Sequence, residues 1–536
     1  MANTTSIWGW GEADRFPEAE HRSAMGQWAS ALLGFSTGAP REPVPAEALE
    51  LRPSRVSPPT ALQSLCSTTV RDRAAHSYGK AYPDLVRGFR GEYPHPPDVV
   101  ARPESEEDVA ALLDWCGESG LALVPFGGGT SVVGGVEPPS DHGGVVTVDL
   151  KGLDRVLEVD PISRAARIQG GALGPVLNAQ LAEHDFELRC FPQSYRYSTL
   201  GGWIVTRAGG HYATVRTHVD DLVESVRMVT PQGVWESRRL PGSGAGPSPD
   251  RMILGSEGTL GIVTEAWMRV VRPPRFRASA TVFYSTWEQA VAGLRAVSQA
   301  GLAPTNCRLL DATEARINAV SADPKATLIL GFESDDHELG PWIRRAVQLA
   351  VAAGGVCPKG ARTRDAKGGG GGAASSWRDA FFEGPYLRDV LVSLGTIVDT
   401  FETACTWDRF PELDAAVRSA VQDALNRVCG GGTVSCRVTH VYPDGLAPYY
   451  TFLGPGREGA ELEQWAEVKQ AASDALLAAG GTITHHHAVG RMHRDHYAEQ
   501  QPGPFGHALR AVKQAIDPAG TLNPGVLIPP SHGEQV

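Results

Sequence analysis

Three glycine-rich segments follow one another between residues 125 and 262, and they limit what this chain can fold into more than any other feature. Glycine reaches φ > 0 without strain and lets backbone amides come close to a ligand. The first segment is Pro125-Phe126-Gly127-Gly128-Gly129-Thr130-Ser131, directly after the strand-like run Leu121–Phe126. Its successive N–H groups, with the Thr130 and Ser131 hydroxyls, form an anion nest by composition. Gly128 is expected at positive φ, where a β-branched residue is poorly tolerated. The second segment carries Gln193, Ser194, Ser198, Thr199, Gly202, Thr206, Arg207, Ala208 and Gly209. The third is Gly255-Ser256-Glu257-Gly258-Thr259-Leu260-Gly261-Ile262. None fits GxGxxG, and no P-loop lysine is present, which weakens a Rossmann or ATPase reading. Each alone reads equally well as a tight turn. Three in order suit a dinucleotide, whose pyrophosphate, ribose and ring need separate backbone approaches.

The surrounding pattern alternates helix and strand. Ser105-x-x-Asp108 reads as a helix start, and Val109, Leu112, Leu113 and Cys116 recur on one helical face. We expect an N-terminal extension over residues 1–92, the three-loop domain over 93–273 ending at Pro273-Pro274, a second mixed domain over 274–505, and a turn-rich segment over 506–536 that returns to the first domain. Lys367 and the run Gly368 to Gly372 read as a mobile loop. With 49 Lys plus Arg against 61 Asp plus Glu, the net charge of −12 argues against nucleic acid or an anionic membrane surface as the main partner and requires local basic groups for any anionic ligand. The 8 cysteines form no CxxC pair, and a soluble cytoplasmic protein is expected, without signal peptide, transmembrane helix or peroxisomal C-terminal signal.

His485-His486-His487 is the densest chemical cluster in the second half. On a strand, His485 and His487 would face one side and His486 the other. With His493 and His496 they raise a metal site, but neither an HExxH pattern nor a nearby carboxylate cluster supports one. Proton transfer or anion binding ranks first, no metal is expected, and an exposed histidine run stays open. Read alone, Tyr449 is core packing and a single arginine is a surface ion pair.

The order of these motifs resembles the flavin-binding domain of the vanillyl-alcohol-oxidase type. Nearly the whole chain resembles one group within it, the alkyldihydroxyacetonephosphate (alkylglycerone-phosphate) synthase family. The resemblance rests on Trp8-Gly9-Trp10-Gly11, PFGGGTS at 125, STLGGW at 198, TRAG at 206, GSEGTLG at 255, Cys307 to Asp311, Tyr386 to Asp389, Phe401 to Arg409, Cys436 to Thr439 and His485 to Gly490. It implies an α+β fold, with a two-subdomain FAD-binding domain and an α/β substrate (cap) domain. It implies noncovalent FAD on the three glycine segments, and exchange of the acyl group of acyl-dihydroxyacetone phosphate for a fatty alcohol through a flavin N5 adduct, without net redox change. Tyr449 falls at the family's catalytic tyrosine, with Tyr450 one residue away; Arg388 matches a substrate-contacting arginine and Arg308 one needed for activity. The histidines would serve anion binding or proton transfer, and nearby Arg and His would lower the tyrosine pKa. A homodimer and peripheral membrane contact are expected as well. Gln193 stands where the family has an acidic residue, and Pro448 and Thr451 replace bulkier neighbours of Tyr449, which points to an altered alkyl tunnel. The competing readings are an FAD-dependent oxidase or dehydrogenase of a 2-hydroxy acid or alcohol, a catalytically silent flavin-binding protein, and a metal-dependent hydrolase.

Overall fold

The computed structural model describes residues 5–318, 325–365 and 373–529; the glycine run 368–372, expected as a loop, lies outside the described residues. Three sheets carry the architecture. The first orders Cys66–Ser67, Val99–Ala101, Val145–Asp149 and Ala122–Phe126, and its last three strands pair in parallel. Parallel strands are covered on both faces, which is why these read as unbroken apolar runs. The crossover helix Glu106–Glu118 starts at a capping box in which the Asp108 amide donates to Ser105 Oγ and the Ser105 amide donates to Asp108 Oδ2. It buries Val109, Leu112, Leu113 and Cys116, the face its periodicity marks.

The second sheet is antiparallel, ordered Val156–Asp160, Ala165–Gln169, Ile262–Arg269, Val223–Thr230 and Gly233–Glu236. The third glycine segment runs straight into its central strand at Ile262. Chain upstream of residue 93 supplies an edge strand to the first sheet, and Leu522 bridges Leu123 from the far end of the chain.

The third sheet has eight strands. Arg362–Asp365, Phe276–Tyr284, Ala326–Ser334, Asn306–Leu310, Thr433–Val441, Gly445–Pro455 and Thr396–Glu402 follow in that order, and Cys405–Thr406 pairs beside Gly445–Pro455. Helices Trp287–Ser298, Gly340–Ala352, Phe410–Cys429 and Glu461–Ala478 bury apolar faces against it. The period of two then sorts the strands' side chains. Ile397, Phe401, Tyr450, Phe452 and Cys436 enter the helix-covered core, while Val398, Thr400, Tyr449, Thr451, Arg437 and Thr439 border a cavity. Among the described residues, no helix is long and apolar enough to cross a membrane.

Candidate active site

The cavity encloses about 630 Å³, within the range of cofactor and ligand pockets. The glycine segments supply Pro125, Gly127, Gly128, Gly129, Thr130, Ser131, Gln193, Ser194, Ser198, Thr199, Gly202, Thr206, Ala208, Gly209, Glu257 and Gly258; the later chain supplies Arg308, Arg388, Arg437, Tyr449, His486 and His487. Residues called from three distant segments and from the eight-stranded sheet therefore meet at one site.

The rest of the expected set does not border the cavity. Phe126 packs on the His76 ring at 4.6 Å. Leu260 and Ile262 belong to the hydrophobic cores, and Gly261 packs against Met228. Gly255 has φ +82°, and Thr259 Oγ1 donates to the Ser256 carbonyl at 2.7 Å. Arg207 caps helix Leu200–Thr206 in the left-handed region and its guanidinium pairs with Asp220 at 2.8 Å.

In the first segment it is Gly129, at φ +64°, that needs left-handed backbone, not Gly128. Gly128 is required for a different reason: a Cβ there would overlap the Tyr197 carbonyl oxygen, because the first two segments pack backbone to backbone. Gly128→Ala is therefore expected to push the segments apart and empty the protein of flavin while the eight-stranded sheet stays folded. Absorbance at the flavin band against far-UV circular dichroism checks this, and full flavin content in the variant would contradict it.

The three histidines lie on a loop, not on a strand, so the expected alternation fails. His486 and His487 border the cavity, while His485 turns behind it, its ring centroid 4.5 Å from that of His218. Two buried carboxylates shape this loop. Glu402 accepts from the amides of His485, His486 and His487 at 2.6, 3.0 and 3.0 Å and from Thr484 Oγ1 at 2.6 Å. Glu257 accepts from the Val489 and Gly490 amides, both at 2.8 Å. Burial works against the Glu402 charge, but the rings of His486, His487 and His485 and the Thr484 hydroxyl outweigh it, and the carboxyl titrates well below its usual range. The amides it accepts favour the same charged form. Burial pushes Glu257 up to about 7 against its two amides. It also pushes all three histidines down, His485 to about 3, against the pull of Glu402 on each, so the rings are neutral near pH 7.

Tyr449 sits between Glu402 and Arg437 across paired strands. Its hydroxyl donates to Thr400 Oγ1 at 2.9 Å, and the Arg437 guanidinium lies 3.9 Å from its ring centroid. The phenol pKa is raised, not lowered as expected, because burial exceeds the opposing effects of Arg437 and Thr400. Tyr450 faces the other way, donating to Asp414 Oδ1 at 3.0 Å in the core. Pro448 does not border the cavity; Thr451 does. Arg308 is 1% exposed, and burial together with Arg437 presses its pKa down to about 9. Arg437 pairs with Glu314 at 2.9 Å.

Sequence reasoning missed Glu402 and Arg437, although both lie in quoted motifs. Each lies opposite Tyr449 on a neighbouring strand, a placement set by cross-strand register that no pattern within a strand reveals. His440, His485 and His486 hold ring nitrogens within 4.8 Å of one another, yet these nitrogens already serve the hydrogen-bond network: His440 contacts Thr439 and Gly210, and His485 contacts Tyr442 and His486.

The glycine-lined part of the cavity fits a dinucleotide. The segments line it largely with backbone, small residues and hydroxyls, and the carboxylate they bring to it, Glu257, is spent on two amides. Residues 97–237 match the family described as FAD binding domain, and residues 273–527 match FAD linked oxidases, C-terminal domain. Fold and site thus define an FAD-linked flavoenzyme of α+β architecture. An alkyldihydroxyacetonephosphate synthase from Dictyostelium discoideum is 30% identical over 85% of this chain and 77% of its own length, and one from Trypanosoma brucei brucei is 29% identical over 86% and 78%. A solved alkyldihydroxyacetonephosphate synthase superposes with a TM-score of 0.80 at 23% identity, covering 97% of this chain and 98% of that one. The chain belongs to the alkyldihydroxyacetonephosphate synthase family.

Proposed function

We propose that the protein replaces the acyl group of acyl-dihydroxyacetone phosphate with a fatty alcohol, forming an ether bond without net oxidation. The observation that carries this reading is the meeting, in one cavity, of a glycine-walled dinucleotide section with Arg308, Arg388, Tyr449, His486 and His487. Bound FAD, which we take to be noncovalent, supplies a ring able to share an electron pair with the substrate carbon.

The protein's own groups do the rest. Arg308, Arg388 and Arg437 hold the phosphate; a buried cation whose pKa is pressed down by burial and by a second cation gains from an added anion. Tyr449 handles a proton at the reacting carbon or its oxygen, held toward Thr400 in its neutral form. Neutral His486 and His487 accept protons beside it. Leu387, Leu391, Val398 and Leu453 offer an apolar wall to the chains, and Trp28, 47% exposed, borders the same cavity and supports peripheral contact with a membrane. The reading includes a reducing, cytoplasmic setting, in keeping with cysteines that are all free, and a homodimer, which light scattering tests.

Incubation of the purified holoprotein with acyl-dihydroxyacetone phosphate and labelled hexadecanol should yield labelled ether product without oxygen uptake. Flavin bleaching by 2-hydroxy acids, with dye reduction and no ether product, would overturn the reading in favour of an oxidase or dehydrogenase.

A further inference from the structure

Among the described residues, the Nε of Arg388 is buried without a hydrogen-bond partner. No bond at Nε fixes the guanidinium, so the backbone that carries it does much to set where it points. That backbone is the helix Ala373–Ser393, which presents Gly384, Leu387, Arg388 and Leu391 to the cavity on one face. The helix has a weak point at Pro385. Proline has no N–H and its ring crowds the turn before it, so residue 385 cannot bond the carbonyl of Phe381. Gln193 bonds it instead, its Nε2 donating to that carbonyl oxygen at 2.6 Å.

The next turn is held at two further points. The Tyr386 hydroxyl lies 2.7 Å from the Tyr197 hydroxyl, and Asp389 Oδ2 accepts from the Trp10 amide at 2.6 Å in a buried contact. Tyr386 and Asp389 are three residues apart and share a helix face, with Arg388 between them in the chain. These contacts account for both glycines of Trp8-Gly9-Trp10-Gly11. A Cβ at Gly9 would come within 2.7 Å of Asp389 Oδ2, and one at Gly11, where φ is +60°, would overlap the Tyr386 and Tyr197 side chains. Buried Lys80 secures the same stretch, its Nζ donating to the Trp8 carbonyl at 3.3 Å.

We propose that Gln193 and Tyr197, together with Trp10 acting through Asp389, are positioning residues that aim Arg388 at the substrate phosphate. The inference rests on the phosphate role given to Arg388 in the exchange reaction above. It gives the second glycine segment a task besides lining the cofactor section, and it gives the Trp8–Gly11 motif a place in the site.

Gln193→Glu keeps the side-chain length and sets an acceptor against the Phe381 carbonyl, while Tyr197→Phe removes the bond to Tyr386 and keeps the ring. Calorimetric titration of the FAD-loaded protein with dihydroxyacetone phosphate reads the phosphate site without turnover. Affinity is expected to fall about 10-fold in Gln193→Glu and about 3-fold in Tyr197→Phe, the range of one lost hydrogen bond. KM for acyl-dihydroxyacetone phosphate should rise in step, with kcat nearly kept. A packing role would not depend on the side chain at 388, so each substitution is repeated with Arg388→Met, where Arg308 and Arg437 still hold the ester. There each should cost less than about 2-fold, because the group it aims is gone. Undiminished affinity in both variants, or equal losses in the two backgrounds, would overturn the positioning role. If Gln193→Glu fails to hold FAD, Tyr197→Phe, whose side chain does not border the cavity, decides by the same cycle. An unmodified protein that binds dihydroxyacetone phosphate but makes no ether would strike the proposed exchange alone, and the cycle would still decide this inference. One that binds no dihydroxyacetone phosphate would overturn both.

Discussion

Tyr449→Phe is expected to lower turnover by about 10²- to 10⁴-fold, the usual worth of a positioned acid or base, while flavin content and stability change little. The substitution keeps the ring under the Arg437 guanidinium and removes one hydroxyl, whose bond partner Thr400 faces the cavity. Tyr450→Phe is the matched control. It removes the core bond to Asp414 and should cost about 1 kcal/mol or somewhat more in stability, with turnover retained. Steady-state kinetics and thermal unfolding of the two variants separate the roles. Because burial raises the Tyr449 pKa, the phenol stays protonated up to its ordinary value and beyond, so no loss of activity between neutral pH and about 10 is assigned to it.

The second large effect is expected at Glu402, which is 2% exposed. Glu402→Gln puts an amide NH₂ where the carboxylate now gathers three backbone amides and a hydroxyl. A hydrogen bond to a charged group contributes about 1.5 to 3 kcal/mol, so losing one or two of these acceptor contacts is a large cost. The loop carrying His486 and His487 should lose its shape, and exchange activity should fall with it. The pH dependence has a definite sign. A carboxyl whose folded pKa lies below its unfolded value of 4.5 contributes stability above that value, and the contribution is lost as pH falls through the window beneath it. The unmodified protein should therefore lose melting temperature on acidification below about 4.5, and Glu402→Gln should show a shallower slope there. Equal slopes and equal melting temperatures would show that Glu402 does not hold the loop.

Much of the fold could be read from local pattern. The capping box at Ser105, the apolar face of helix Glu106–Glu118 and the buried parallel strands are each set by short-range chemistry. The glycine segments were legible as close backbone approaches, but the cause at Gly128 was not: it depends on Tyr197, a residue of another segment. The histidine loop was misread as a strand because three neighbouring residues carry no signal of the distant carboxylates that bend them. Glu402 and Glu257 do this from separate parts of the chain. The same holds for the Tyr449 pKa. Motifs showed that arginines and histidines were present, but only packing shows that burial outweighs Arg437 and that the three histidines are neutral.

The central claim is exchange at the substrate carbon without net redox change. Its most direct test supplies the holoprotein, under anaerobic conditions, with acyl-dihydroxyacetone phosphate and a fatty alcohol carrying ¹⁸O, followed by mass spectrometry of both products. The account predicts an ether that retains the ¹⁸O, a released fatty acid free of it, and an oxidised flavin at the end of the reaction. An ¹⁸O-labelled fatty ester in place of the ether, or flavin left reduced in proportion to product, would contradict it.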